Sequence, residues 1–389
     1  MANAIRTQTF TESVIREMSR VAKEHNAINL AQGFPDFPMP AAMKKAACDA
    51  INDDINQYAV TWGSPVLRNA IADMYKRRFN MSVDPERELT VCCGATEAAA
   101  SVFLALLNPG DEVLIFEPFY ENYGPDAILC GAVPVFVPLI APNWTFDMDA
   151  LRKSITKHTR ALVLNSPHNP TGHVFHRDEL AAIAELCIEH DIMVITDEPY
   201  EHIIFTGEHI PMASMPGMAD RTITISSLSK TFSITGWRLG YAIASAERSQ
   251  AIRKVHDFLT VGAPAPLQHA AAIGYAFDES YYKGMSDEYR ARRDFLAGPL
   301  REAGFQFAMP EGAYYFLADF SALSSDDDVT FAKWMTREIG VATVPGSSFF
   351  RPGSAAGKKY TRFAFCKTEA TLAKAVEKLS KLALAGRHA

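Results

Sequence analysis

Apolar residues along this chain follow two rhythms. Short β-branched runs bounded by Pro, Asn, Asp and Gly, among them EVLIFEPFY, PVFVPL, ALVLN, IMVITDEPY and TITISS, have the length and make-up of buried strands. Between ALVLN and IMVITD lies RDELAAIAELCIEH, whose apolar positions fall at helical spacing, and ELTVCCGATEAAASVFLALL runs from a short strand straight into a helix. Repeated strand–helix–strand units predict an α/β fold: a mostly parallel sheet with helices on both faces.

From about residue 276 the pattern changes. A long polar helical stretch, DESYYKGMSDEYRARRDFLAGPLREAG, is followed by short strands around AYYFLADF and YTRFAFC and by a closing amphipathic helix, TLAKAVEKLSKLAL, which together suggest a smaller α+β domain. Near the N-terminus AQGFPDFPMP is too rich in Pro and Gly for a regular element and is expected to lie across the surface or reach a partner chain. The expected division is an N-terminal arm with part of the small domain over 1–45, a large domain over 46–275 and a small C-terminal domain over 276–389. A chain of 389 residues is long enough for about two such domains.

Composition narrows the function. A 48% apolar and 21% charged make-up is globular, and a net charge of −7 without Lys/Arg runs argues against nucleic acid or an anionic membrane as partner. MANAIRTQTF carries no apolar leader segment and no stretch of about 20 apolar residues occurs, so a cytoplasmic location is expected. Cys48, Cys92, Cys93, Cys130, Cys187 and Cys366 show no CxxC spacing, which leaves free thiols, mostly buried, and no zinc site.

In open α/β sheets ligands sit beyond the carboxyl ends of the strands. Five apolar runs deliver polar groups there: Gly94-Ala95-Thr96, Tyr120, Asn169, Asp197 and the segment from Ser227 to Lys230. Each has a plain reading of its own. GATEA is a strand-to-helix turn, Asp197 a helix cap, Asn169 in NSPHNPTG a turn former, Tyr120 core packing and Lys230 a solvated strand end. Taken together they form an anion cradle at a helix N-terminus, an acid, hydroxyl and amide donors and a lysine, which is the set that pyridoxal phosphate chemistry needs. A lysine whose pKa falls below about 10.4 forms an imine with an aldehyde, and a carboxylate facing the pyridine nitrogen makes the ring an electron sink.

The ordered motifs INLAQGFPDF, NQYAVTWGSPVLRNAIA, GATEA, EPFYENY, NSPHNPTG, ITDEPY, SSLSKTFSITGWRLGY, EGAYYFLADF and TRFAF extend this reading. With them the chain resembles the fold-type I, class I/II aminotransferases from end to end, and most of all the branch containing kynurenine, glutamine and methionine aminotransferases. The resemblance implies that Lys230 bears the Schiff base and shuttles the proton between the substrate Cα and the cofactor C4′. It implies Asp197 at the pyridinium nitrogen, Tyr200 and Asn169 at the phenolic oxygen and Tyr120 stacked on the ring. Gly94 in its turn, the Ala95 and Thr96 amides, Ser227 and Arg238 would hold the phosphate, with Tyr58 reaching it from the neighbouring subunit of a homodimer. Arg362 would clamp the substrate α-carboxylate as a bidentate pair, aided by the Gly33 N–H. The implied reaction is ping-pong transfer of an amino group between a neutral or aromatic amino acid (Met, Gln, Phe or kynurenine-like) and a 2-oxo acid.

The sequence also departs from the branch. Where the branch often places an arm tryptophan over the substrate side chain, this chain has Ile15, and no second arginine for an acidic side chain is assignable. Gly346 fits the family, whereas Phe349 and Phe350 add bulk of unassigned position. Cysteine-S-conjugate β-elimination, an aspartate-type aminotransferase and a catalytically degenerate regulator that binds the cofactor are the alternatives. Ser227 and Lys230 also match the S-x-x-K pattern of penicillin-binding enzymes, but S-D-N and K-T-G are missing, and GSAAGKK falls short of a P-loop. His173 and His176 flank a turn without an evident carboxylate pattern and are expected at the surface, with no bound metal.

Overall fold

The computed structural model describes residues 4–385. Eight strands form the large sheet: β1 (Leu89–Cys92), β2 (Glu112–Glu117), β3 (Val133–Ile140), β4 (Thr145–Phe146), β5 (Thr159–Asn165), β6 (Met193–Asp197), β7 (Thr222–Ser227) and β8 (Gly240–Ile243). Their spatial order is β1-β8-β7-β6-β5-β2-β3-β4. The five central strands, β3, β2, β5, β6 and β7, run parallel, whereas β8 is antiparallel to both its neighbours and β4 to β3.

Because side chains alternate across a strand, each apolar run feeds two cores. In β2, Val113 and Ile115 join one buried cluster with Val102 and Phe103 of the helix Ala95–Leu106 and Ile252 of the helix Ala246–Thr260. Leu114 and Phe116 point the other way, to Leu180 and Ile183 of the helix Arg177–Glu189. Ala161 and Val163 against Leu162 and Leu164 repeat the division in β5. Continuous apolar runs are thus what a doubly covered sheet requires.

The three-stranded antiparallel sheet β9 (Tyr315–Asp319), β10 (Val344–Pro345) and β11 (Tyr360–Ala364), in the order β9-β11-β10, is flanked by the long helix Glu279–Glu302 and the final helix Glu369–Ala385. Residues 31–40 lack regular structure and run partly along the surface, with Phe34, Asp36 and Pro38 exposed, whereas Leu30 and Ala31 at the start of the segment are fully buried. Backbone pairing accounts for that burial. Ile28–Asn29 pairs in parallel with Val341–Ala342, the Leu30 N–H donates to the Ala342 carbonyl at 3.0 Å, and the Ala364 N–H donates to the Leu30 carbonyl at 2.7 Å. Ahead of it, Ser13 caps an amphipathic helix, Val14–Glu24, that buries Ile15, Met18 and Ala22. No described helix is long and apolar enough to cross a membrane.

Candidate active site

At the carboxyl edge of the large sheet a cavity of about 170 Å³ opens, far more than the ~10–15 Å³ that one water needs. Gly94, Ala95, Thr96, Ser227 and Arg238 gather at one end. Gly94 holds φ +85° and starts the helix Ala95–Leu106, leaving first-turn N–H groups without partners in the helix. A Cβ at Gly94 would lie 2.3 Å from the Arg238 Nη2, so the glycine lets the guanidinium close on the turn. Arg238 itself adopts φ +54° and donates through Nη1 to the Thr235 carbonyl at 3.0 Å. Gly240 serves the same approach, since a Cβ there would sit 2.5 Å from the Ala95 nitrogen. The Ser227 Oγ accepts from the Ser229 N–H at 3.1 Å, while the Ser229 Oγ is buried and without a partner.

Across the cavity, β6 ends on Asp197. Its Oδ2 accepts a 2.5 Å hydrogen bond from the Tyr123 hydroxyl, and its buried Oδ1 has no partner. Burial pushes this carboxyl up to about 6, against the opposing pull of Tyr123 and the Lys230 ammonium. The Lys230 Nζ donates to the Gly33 carbonyl at 3.2 Å, which also accepts from the Tyr314 hydroxyl at 2.9 Å. Burial draws the lysine down to about 8; Cys366 and Asp197 oppose the shift, and Arg238 and Arg362 add to it. An amine so poised is neutral in a substantial fraction near physiological pH.

β11 brings in Arg362, only 1% exposed. Its Nη1 donates to the Asn169 Oδ1 at 2.8 Å and its Nη2 to the Ala31 carbonyl at 2.9 Å, and its Nε has no partner. The guanidinium lies 4.2 Å from the Tyr315 ring centroid and 4.8 Å from that of Phe349. No carboxylate pairs with it among the described residues. A buried cation is costly unless an anion arrives to match it, and this one has aromatic walls that exclude water around a carboxylate-sized fork. Tyr200 reaches the Tyr315 hydroxyl at 3.0 Å, and Tyr120 packs edge-on to Tyr123 at 5.8 Å.

The cavity therefore collects twelve of the fourteen candidate residues. Gly33, Ala95, Thr96, Tyr120, Asn169, Asp197, Tyr200, Ser227, Lys230, Arg238, Arg362 and Ile15 line it, with Gly94 against Arg238 at its edge. Tyr58 does not: it is 85% exposed, outside this cavity. Phe349 packs beside Arg362, whereas Phe350 stacks on Tyr360 behind it.

His173 corrects the surface expectation. It is 6% exposed because two acids distant in sequence converge on it, Glu179 at 3.0 Å and Glu311 at 3.2 Å. His176, by contrast, is partly exposed beside Glu311. Sequence reasoning missed Tyr123, Asn165 and Ser229. Tyr123 stands one helical turn beyond Tyr120 in EPFYENY. Asn165 closes β5 opposite Asp197 in the sheet register and donates to the Asp197 carbonyl at 2.7 Å, a placement that its position at the end of ALVLN could have signalled.

The family model described as aminotransferase class I and II matches residues 25–379. The chain belongs to that family. Among relatives of this aminotransferase, the probable N-succinyldiaminopimelate aminotransferase of Mycobacterium tuberculosis is 43% identical over 97% of this chain and 98% of its own. Methionine aminotransferase of Escherichia coli is 38% identical, covering 95% of this chain and 96% of the relative. The solved structure of the mycobacterial N-succinyldiaminopimelate aminotransferase superposes with a TM-score of 0.95 at 43% identity, covering 98% and 100% of the two chains. The fold is accordingly fold-type I, and the cofactor of the class is pyridoxal phosphate. The residues present fit that group: the partnerless Asp197 Oδ1 and Ser229 Oγ supply an acceptor for a ring N–H and a donor for a phosphate within one cavity.

Proposed function

We propose that this aminotransferase takes the amino group from a neutral or aromatic amino acid and passes it to a 2-oxo acid, acting in the cytoplasm as a homodimer. Pyridoxal phosphate, when bound, supplies the aldehyde that receives the amino group and the ring that withdraws electrons from the substrate Cα. The observation that carries the reading is the buried Lys230 amine in one cavity with a half-unpartnered Asp197 and an Arg362 that has no carboxylate partner among the described residues.

Each residue then has one task. Lys230 holds the cofactor and moves the proton between the substrate Cα and C4′, for which an amine with a pKa near 8 is suited. Asp197 accepts the ring N–H through Oδ1, with Tyr123 and Asn165 fixing the carboxylate and its backbone. Tyr200 and Asn169 hydrogen-bond the phenolic oxygen; the Asn169 Oδ1 is taken by Arg362, which leaves the Nδ2 to donate. Tyr120 covers the ring. The Ala95 and Thr96 amides, Ser227, Ser229 and Arg238 hold the phosphate at the helix N-terminus, with Gly94 admitting Arg238 and the partner copy contributing a Tyr58. Arg362 and the Gly33 N–H orient the α-carboxylate, and Ile15 meets the substrate side chain. Chain division near residues 46 and 276 is supported by separate large and small sheets and by the arm's pairing with Val341–Ala342.

The test is Lys230→Ala together with a titration of the yellow wild-type enzyme against a panel of amino acids. Wild type should convert to the pyridoxamine form with methionine or an aromatic amino acid. The variant should bind cofactor and lose transamination. Turnover near wild type in the variant contradicts the reading.

A further inference from the structure

We infer that Lys367 is a positioning residue for the substrate α-carboxylate, acting through the main chain of Gly33. The inference rests on the function proposed above and deepens it, because it identifies what aims the Gly33 N–H at the carboxylate. Lys367 follows β11 and is only 3% exposed. Its Nζ donates to the Gln32 carbonyl at 3.1 Å and to the Phe34 carbonyl at 2.8 Å, and it lies 4.4 Å from the centroid of the Phe34 ring. No carboxylate pairs with it among the described residues, and Asp36, further along the arm, is taken by the Thr368 N–H and the Thr371 hydroxyl. A lysine is almost never fully buried unless it is paired. What this one supplies that an apolar side chain does not is donors for the two carbonyls on either side of one glycine.

That bracketing fixes the glycine. The Phe34 N–H also donates to the Gln32 carbonyl, at 3.0 Å, closing a three-residue turn with Gly33 at its centre. The Gln32–Gly33 peptide is trans, and in a planar trans unit the C=O and the N–H point in opposite directions. With the Gln32 carbonyl turned to Lys367, the Gly33 N–H therefore faces the other way. The cavity lies on that side: the Gly33 carbonyl, on the outside of the same turn, accepts from the Lys230 Nζ at 3.2 Å and from the Tyr314 hydroxyl at 2.9 Å. Among the described residues the Gly33 N–H has no hydrogen-bond partner, which leaves it as a donor for a ligand. A side chain at this position would run into the Tyr315 hydroxyl, so the main chain itself forms the wall.

One segment thus serves both halves of the carboxylate site. The Ala364 N–H holds the Leu30 carbonyl at 2.7 Å, Arg362 holds that of Ala31 at 2.9 Å, and Lys367 holds those of Gln32 and Phe34, whereas the Gly33 carbonyl is turned into the cavity. β11 carries the guanidinium that receives one side of the carboxylate, and the residue three places beyond its end aims the donor for the other.

The experiment follows single-turnover conversion of the holoenzyme to the pyridoxamine form by cofactor absorbance. It compares the amino acid that wild type converts best with the amine that lacks its carboxylate (for methionine, 3-(methylthio)propylamine). A defect in folding or cofactor binding slows both alike and leaves their ratio unmoved. Lys367→Met should lower the amino acid-to-amine ratio about 10- to 100-fold, mainly through half-saturation by the amino acid, as loss of a hydrogen bond to a charged group predicts. Lys367→Gln, which keeps one donor group, reads the same change where Lys367→Met does not accumulate, and Lys367→Arg, whose fork offers donors to both carbonyls, should restore part of the ratio. Asp36→Ala, which frees the same loop from Thr368 and Thr371 without touching the Gly33 peptide, should lower the unfolding midpoint and leave the ratio at its wild-type value. A ratio that Lys367→Met and Lys367→Gln leave unmoved, or that Asp36→Ala lowers as far, overturns the assignment while transamination itself persists. Failure of wild type to convert with any amino acid overturns the aminotransfer reading, and this assignment with it.

Discussion

His173→Gln tests how far an ionised side chain in the segment that carries Asn169 stabilises the fold. Burial alone would pull the His173 imidazole down, but the hydrogen bonds it donates to Glu179 and Glu311 override it and push the group up to about 9. The two other imidazoles nearby are His176, against Glu311, and the buried His168, held by Thr171 at 2.7 Å. Glu311 also ties the two halves of the cleft, accepting from the Val174 N–H through its side chain and donating through its backbone N–H to the Gly172 carbonyl, just beyond Asn169.

A group whose pKa is raised on folding stabilises fully below its unfolded value and loses that contribution as pH rises through the folded one. With an unfolded pKa of about 6.5, protonation of His173 contributes about 3 kcal/mol at pH 6, about 2 kcal/mol at pH 7.5 and under about 0.5 kcal/mol at pH 9.5. Urea unfolding of wild type and variant, at fixed protein and cofactor concentrations, reads the difference directly. The stability gap should shrink by about 3 kcal/mol from pH 6 to pH 9.5. A gap that is the same at both ends of the range refutes the argument that the imidazolium is what the two acids hold.

Three further outcomes follow from the site. Tyr123→Phe removes the hydroxyl donor from Asp197, so its carboxyl should rise above about 6 and the acid limb of the kcat profile should move to higher pH; an unmoved limb contradicts the contact. Arg362→Lys keeps the charge but loses the fork, and kcat/KM for amino acids should fall about 100-fold while absorbance shows full cofactor content. Gly94→Ala places a Cβ 2.3 Å from the Arg238 Nη2 at φ +85°, so equilibrium titration of the cofactor-free protein should show weakened binding of pyridoxal phosphate; unchanged affinity contradicts the close approach.

The alternation of apolar runs and helical segments was enough to read the large sheet, because a parallel sheet covered on both faces needs strands that are apolar on both sides, as β2 and β5 are. The cavity was legible for a related reason: strand ends deliver their next residues to one edge, and Asp197, Asn169 and Lys230 stand directly there. What stayed hidden depends on long-range convergence. Glu311 meets His173 from a distant segment, and the arm's burial depends on pairing with Val341 and Ala364, neither of which local composition reports. Tyr123 and Ser229 were missed because each sits beside a residue that already had a role. Phe349 could be placed only once β11 had set Arg362 beside it.

Arg362 has a consequence for the order in which the molecule acquires its abilities. The lysine and the anion cradle stand earlier in the chain than β11, which carries the guanidinium proposed to receive the amino acid. A polypeptide stopped before Tyr360 would possess the lysine yet lack that guanidinium. On the proposed roles, the ligands of the vitamin are thus synthesised before the main clamp for the metabolite.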